Sequence, residues 1–98
     1  MSFTYYECAH CHRATFPRRR LCARCGHGAF DARTLLEAQV CGYTEAHRRP
    51  AEWPYPYLVE LRAERQDLNF LAVSRFAPAP GETVKVLLSA TGLAHIER

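Results

Sequence analysis

Two cysteine pairs constrain this chain more than any other feature. Cys8-x2-Cys11 and Cys22-x2-Cys25 stand ten residues apart. In each pair a tight turn, a knuckle, aims two sulfurs at one point. Two knuckles supply four thiolates, the set that suits tetrahedral zinc at ~2.3 Å Zn–S. Gly26 follows the second pair, where a knuckle commonly needs left-handed backbone, whereas His12 follows the first. Two pairs at this spacing outweigh the alternatives of one isolated redox pair or of buried thiols. Iron shares the ligand preference, so the metal reading is zinc first and iron second. A complete four-cysteine set leaves no open coordination position, so the zinc is expected to be structural. His10, His12 and His27 are then expected as neighbours of the ion rather than ligands. Residues 1–33 hold few apolar side chains, so the metal is also expected to staple a segment that cannot fold alone.

The chain has 98 residues, enough for one domain or two very small modules that share stability. No run approaches the ~18–20 apolar residues of a transmembrane helix. The opening, Met1 to His10, lacks a basic flank followed by an apolar core and does not read as a secretory signal. Five cysteines without an export signal point to a reducing cytoplasm, where clustered cysteines bind metal more often than they pair as disulfides.

Charge divides the chain. Residues 1–33 carry six Arg against Glu7 and Asp31, a net +4, and residues 34–98 carry a net −1. Twelve of the thirteen basic residues are Arg, and Lys85 is the exception. Such uniform usage fits codon composition as well as phosphate binding, so the basic third does not by itself signal nucleic acid. A zinc on four thiolates carries a net −2, and Arg13, Arg18, Arg19, Arg20 and Arg24 are placed to screen it.

From Thr34 the texture changes to period-2 alternation. Leu36, Ala38, Val40, Gly42, Thr44 and Ala46 fall on one face of a long strand, with Gly42 as a bend or bulge. Residues 48–56 contain three prolines and must be a loop. Alternation resumes over Tyr57–Glu64, and further strands are expected at Leu68–Phe76, Thr83–Leu88 and Leu93–Glu97. Five strands in about 65 residues predict a small closed barrel, which removes exposed edges. The oligonucleotide/oligosaccharide-binding (OB) fold leads, with an SH3-like barrel as competitor. The expected organisation is mainly β: a four-cysteine zinc ribbon over 1–33 and a five-stranded OB-fold barrel over 34–98.

A ribbon followed directly by such a barrel is an uncommon order, and details sharpen it. Phe16-Pro17-Arg18 lies between the knuckles, and Cys22-Ala23-Arg24-Cys25-Gly26 closes the ribbon. Residues 36–44, ending Gly42-Tyr43-Thr44, lead to His47-Arg48, and Pro56-Tyr57-Leu58-Val59-Glu60-Leu61 follows the loop. Over residues 5–90 the chain resembles the acyl-CoA-associated OB-fold family with an N-terminal rubredoxin-like zinc ribbon, domain-of-unknown-function family thirty-five. The resemblance implies a non-catalytic subunit that accompanies a thiolase-like enzyme and helps bind or channel acyl-CoA. Two departures concern the docking surface. Seven residues precede Cys8 where family members often have a helical segment, and Phe30 stands where a Trp often follows the second knuckle.

In an OB barrel the loop between the first two strands flanks the ligand face. Arg48 and Arg49 are therefore candidates to hold CoA phosphates, and Trp53 or Tyr55 to stack on adenine. The competing reading folds Trp53 over the barrel end and leaves the arginines solvated. A single-stranded nucleic-acid binder is the alternative function, resting on Arg18–Arg20 and on Phe70 and Phe76 as stacking platforms. Against it, both faces of the Phe70 strand are apolar and the barrel half is net negative. Glu45 and His47 share a strand face, but nothing supplies a nucleophile, an oxyanion hole or an open metal position, so no catalysis is expected. Cys41 is expected as a core or half-buried thiol.

Overall fold

The structure is a computed structural model that describes residues 2–46 and 54–98. Every regular element among them is a strand. The N-terminal unit is a three-stranded antiparallel sheet of β1 (Phe3–Cys8), β2 (Ala14–Thr15) and β3 (Phe30–Leu35), in the order β2-β1-β3. The second unit comprises β4 (Glu37–Glu45), β5 (Tyr57–Ala63), β6 (Leu68–Ser74), β7 (Thr83–Leu88) and β8 (Ala94–Glu97). They close into a barrel in the order β4-β5-β6-β8-β7, and β4 pairs β7 to complete it. The pairings are antiparallel except β6 with β8, which run parallel at Val73 and His95. This is the OB arrangement, a five-stranded Greek-key barrel.

Alternation sets the barrel interior. Val59, Leu61 and Ala63 of β5 point inward and are buried, while Leu58, Glu60 and Arg62 face out. In β7, Val84 and Val86 are buried and Lys85 is exposed. The β5–β6 hairpin turns at Asp67, whose φ of 50° is left-handed and whose N–H donates to the Glu64 carbonyl at 3.1 Å. The loop after β6 is tied to β4: the Gly81 N–H donates to the Val40 carbonyl at 2.7 Å, and the Val40 N–H to the Glu82 carbonyl at 2.9 Å.

Two strand expectations change. The alternation beginning at Thr34 is divided between two sheets. Residues through Leu35 pair with β1, and the chain enters the barrel at Glu37. Leu36, the joint, is therefore 69% exposed instead of sharing the inward face of Ala38 and Val40. A bulge follows between Val40 and Gly42, next to the expected bend. Cys41 lies on the outer side of this irregular stretch and is exposed rather than half-buried, because among the described residues no second layer covers that face.

The ribbon and the barrel share one core. Phe3, Tyr5 and Leu35 from the ribbon join Val40, Val59, Leu61, Phe70, Val84, Val86 and Ile96 in a single buried cluster. Phe3 is fully buried; its ring stacks on Phe70 at 4.8 Å and lies 4.5 Å from Phe16. A bridge between Ser2 and Leu87 fastens the start of the chain to β7. Among the described residues no helix is long and apolar enough to cross a membrane.

Candidate metal centre and adjoining clefts

The two knuckles are built alike. In the first, the His12 N–H donates to the Cys8 carbonyl and the Cys8 N–H to the Arg13 carbonyl, both at 2.9 Å. In the second, the Gly26 N–H donates to the Cys22 carbonyl at 2.9 Å and the Cys22 N–H to the His27 carbonyl at 2.7 Å. Each turn reverses through a left-handed residue after its second cysteine, His12 at φ 65° and Gly26 at φ 80°. His12 thus takes the place expected of a glycine, a conformation that histidine adopts more readily than β-branched residues do.

The turns bring Cys8, Cys11, Cys22 and Cys25 together with all four sulfurs within 4.8 Å of one another. Cys8 and Cys25 are 3.5 Å apart at Sγ, as are Cys11 and Cys22. Four ligands at ~2.3 Å from one tetrahedral ion would lie ~3.8 Å apart, so the set could hold a single metal ion. The electrostatics fit a cation. Backbone N–H groups of Cys11 and His10 hold the Cys8 thiol below its ordinary value against the effect of burial. Those of Cys25 and Arg24 bring Cys22 down to about 6, and the Arg24 N–H lies 3.4 Å from its sulfur. At Cys25 the His27 N–H also favours the thiolate, but burial and the three neighbouring sulfurs outweigh it and push the thiol up to about 12. Four sulfurs this close cannot all be anionic without a positive ion among them.

None of the nearby histidines belongs to the four-sulfur group. His10 and His27 stack at 4.1 Å with planes 2° apart, and His12 Nδ1 turns away to Glu7 at 3.3 Å. The arginines divide. Arg18 lies over the rings of Tyr6 and Phe30, at 6.0 and 5.8 Å. Arg13, Arg19 and Arg24, with His12, line a cleft of about 610 Å³ that Gln66–Asn69 of the β5–β6 turn close on the barrel side.

Of the residues expected to meet a ligand, Arg48, Arg49 and Trp53 lie outside the described residues, as does His47. Tyr55 is half-buried beside a second cleft, of about 320 Å³, with Arg75, Phe76, His95 and Arg98. The Arg75 guanidinium sits 5.5 Å from the Tyr55 ring centre and that of Arg98 4.2 Å from Phe76; the Tyr55 and His95 rings are 6.1 Å apart. Arg75, His95 and Arg98 carried no signal in the sequence. They meet Tyr55 only because β8 closes against β6. On the outside of the barrel, Leu58 and Leu71 are exposed apolar residues of neighbouring strands, whereas Tyr43, opposite Val59 in register, lies on the other face with its ring 5.5 Å from that of Tyr57.

No family model matches the chain, and no curated protein matches it in sequence. A solved structure described as "Ltp2-ChsH2(DUF35) aldolase" has the same fold. The likeness has a TM-score of 0.71 at 20% identity and covers 97% of this chain and 83% of that one. The chain therefore has the ribbon-and-barrel fold of that DUF35-containing structure over nearly its whole length.

Proposed function

We propose that this chain is a DUF35-type protein that serves as a non-catalytic accessory subunit of a thiolase-like enzyme in acyl-CoA metabolism. The likeness to a chain of an assembly named as an aldolase, over 97% of the present sequence, is the observation that carries this reading. Two features support it. The four-cysteine set has the donor chemistry of a closed structural zinc site, which offers no coordination position for substrate. Leu58 and Leu71 leave apolar surface on the barrel wall, of the kind that docks a protein partner. Cys8, Cys11, Cys22 and Cys25 would hold the zinc, which would fix the ribbon against the barrel. Tyr55, with Arg48, Arg49 and Trp53 from the preceding loop, would meet the nucleotide end of CoA. Arg75 and Arg98 add guanidinium groups, and Phe76 a ring, at the Tyr55 cleft. The setting of such a complex would be the cytoplasm.

The cleft lined by His12, Arg13, Arg19 and Arg24 favours a second reading, a single-stranded nucleic-acid binder. One experiment separates the two. The tagged chain is recovered from its own host at moderate salt, with mass spectrometry and an absorbance check for nucleic acid. Stoichiometric recovery of a thiolase-like enzyme without nucleic acid supports the accessory subunit. Recovery of RNA or DNA without such an enzyme overturns it. Affinity for nucleic acid would also fall steeply with salt, as condensed counterions are released. Turnover of an acyl-CoA by the purified chain alone would overturn the non-catalytic assignment.

A further inference from the structure

The barrel strands close in a ring, but the ribbon sheet does not. β3 is paired along one side to β1, and among the described residues no strand lies along its other side. Its stretch Asp31-Ala32-Arg33-Thr34 is exposed throughout. The opposite edge of the sheet, β2, is only two residues long. An unpaired strand of this length is a template for another chain.

The charges on β3 say which chain. Asp31 stands directly opposite Glu7 in the β1–β3 register, an unfavourable pairing of like charges. Glu7 is served by His12 at 3.3 Å and Arg33 at 3.7 Å, whereas Asp31 has no ion pair among the described residues. When a strand edge pairs antiparallel with a copy of itself, residues directly opposite must present the same backbone orientation. Partners therefore share sequence parity, and the twofold axis passes through a residue. An axis at Asp31 sets acid against acid, and an axis at Arg33 sets base against base. An axis at Ala32 sets Asp31 against Arg33 of the second copy, twice, and Phe30 against Thr34, twice.

We propose that two copies of this chain associate through the β3 edge, antiparallel and centred on Ala32. The interface is isologous, as twofold symmetry requires. It extends the three-stranded ribbon sheet to six strands and brings Arg33 of the second copy beside Asp31. The surface is distinct from Leu58 and Leu71, so the proposal does not depend on the enzyme partner.

Sedimentation equilibrium of the metal-loaded full chain over a wide concentration range tests it. The expected result is a monomer–dimer equilibrium. Asp31→Arg alone, or Arg33→Asp alone, sets like charges across the axis and should weaken dimerisation roughly tenfold or more. The double variant Asp31→Arg/Arg33→Asp should recover it, and an equimolar mixture of the two single variants should form a heterodimer. A monomer at all concentrations overturns the proposal, as does a dimer indifferent to the reversals or a mixture that fails to pair. A measurement on the unaltered protein guards against variants that do not fold. Amide exchange over residues 31–34 should slow with rising concentration while that of β2 does not, and concentration-independent exchange over 31–34 counts against the pairing.

Discussion

The ribbon and the barrel are both built wholly of strands, yet they are held by different means. The barrel closes on itself and buries about one residue in two along β5 and β7. The ribbon has an open edge, a two-residue strand and long connections that are largely exposed between Ala9 and Ala29. What it contributes to a core, Phe3, Tyr5 and Leu35, it contributes to the barrel's core. Its other anchor is the four-sulfur cluster. A segment too poor in apolar side chains to fold alone can be held at both ends, by a metal and by a larger neighbour.

The largest test of this contrast is removal of the metal. With zinc in the four-cysteine set as proposed, Cys22→Ser or a strong chelator should unfold the ribbon, since structural zinc contributes ~10–16 kcal/mol of apparent binding energy in small domains. Hydrogen exchange should show protection lost in β1–β3 and retained in β5 and β6. Equal loss in both units would mean that the barrel cannot stand without the ribbon.

Phe3→Ala should come next. It removes a fully buried ring that touches both Phe16 and Phe70, at an expected cost of about 3–5 kcal/mol in urea unfolding. Because one ring serves both units, Phe3→Ala and Phe70→Ala should be non-additive in a double-mutant cycle. Strict additivity would break the picture of a common core.

The knuckles offer a smaller test. Gly26 has open space around an added Cβ but a φ of 80°, so Gly26→Ala should cost about 1–2 kcal/mol from backbone conformation alone. His12→Gly, at the matching position with φ 65°, should change stability by less than about 1 kcal/mol, because relief of strain offsets added chain entropy. Thermal unfolding of the metal-loaded variants measures both.

The smallest effect concerns acid. The Ala79 N–H and the Arg98 guanidinium hold the Glu82 carboxyl below its ordinary value. Its contribution is therefore complete above the ordinary carboxylate range and is lost as pH falls through the lowered value. The stability difference between the natural chain and Glu82→Gln should shrink as the solution is acidified. A difference that grows instead would mean the carboxylate is not stabilising. The ribbon should respond to acid at higher pH than this site, because protons compete with the metal for thiolates.

The barrel was largely legible in the sequence. Alternation at Tyr57–Ala63 and Thr83–Leu88 marks both the strands and their inward faces, since a closed barrel wall has one apolar side. The ribbon's strands were not legible. Phe3–Cys8 mixes half-buried residues with buried ones, and β2 is too short for any period to appear. The cysteine spacing located the sulfur cluster even so, because a knuckle's geometry is local.

Local chemistry in the sequence thus determined the four-cysteine set, its left-handed turn at Gly26 and the barrel strands. Each rests on residues within a few positions of one another. Long-range pairing decided the rest. It split the alternating run at Leu36 between two sheets, placed Phe3 against Phe70, and gathered Arg75, His95 and Arg98 beside Tyr55. Among the described residues it also left β3 unpaired along one side. Such contacts join residues far apart in the chain, and no periodicity encodes which strand will lie beside which.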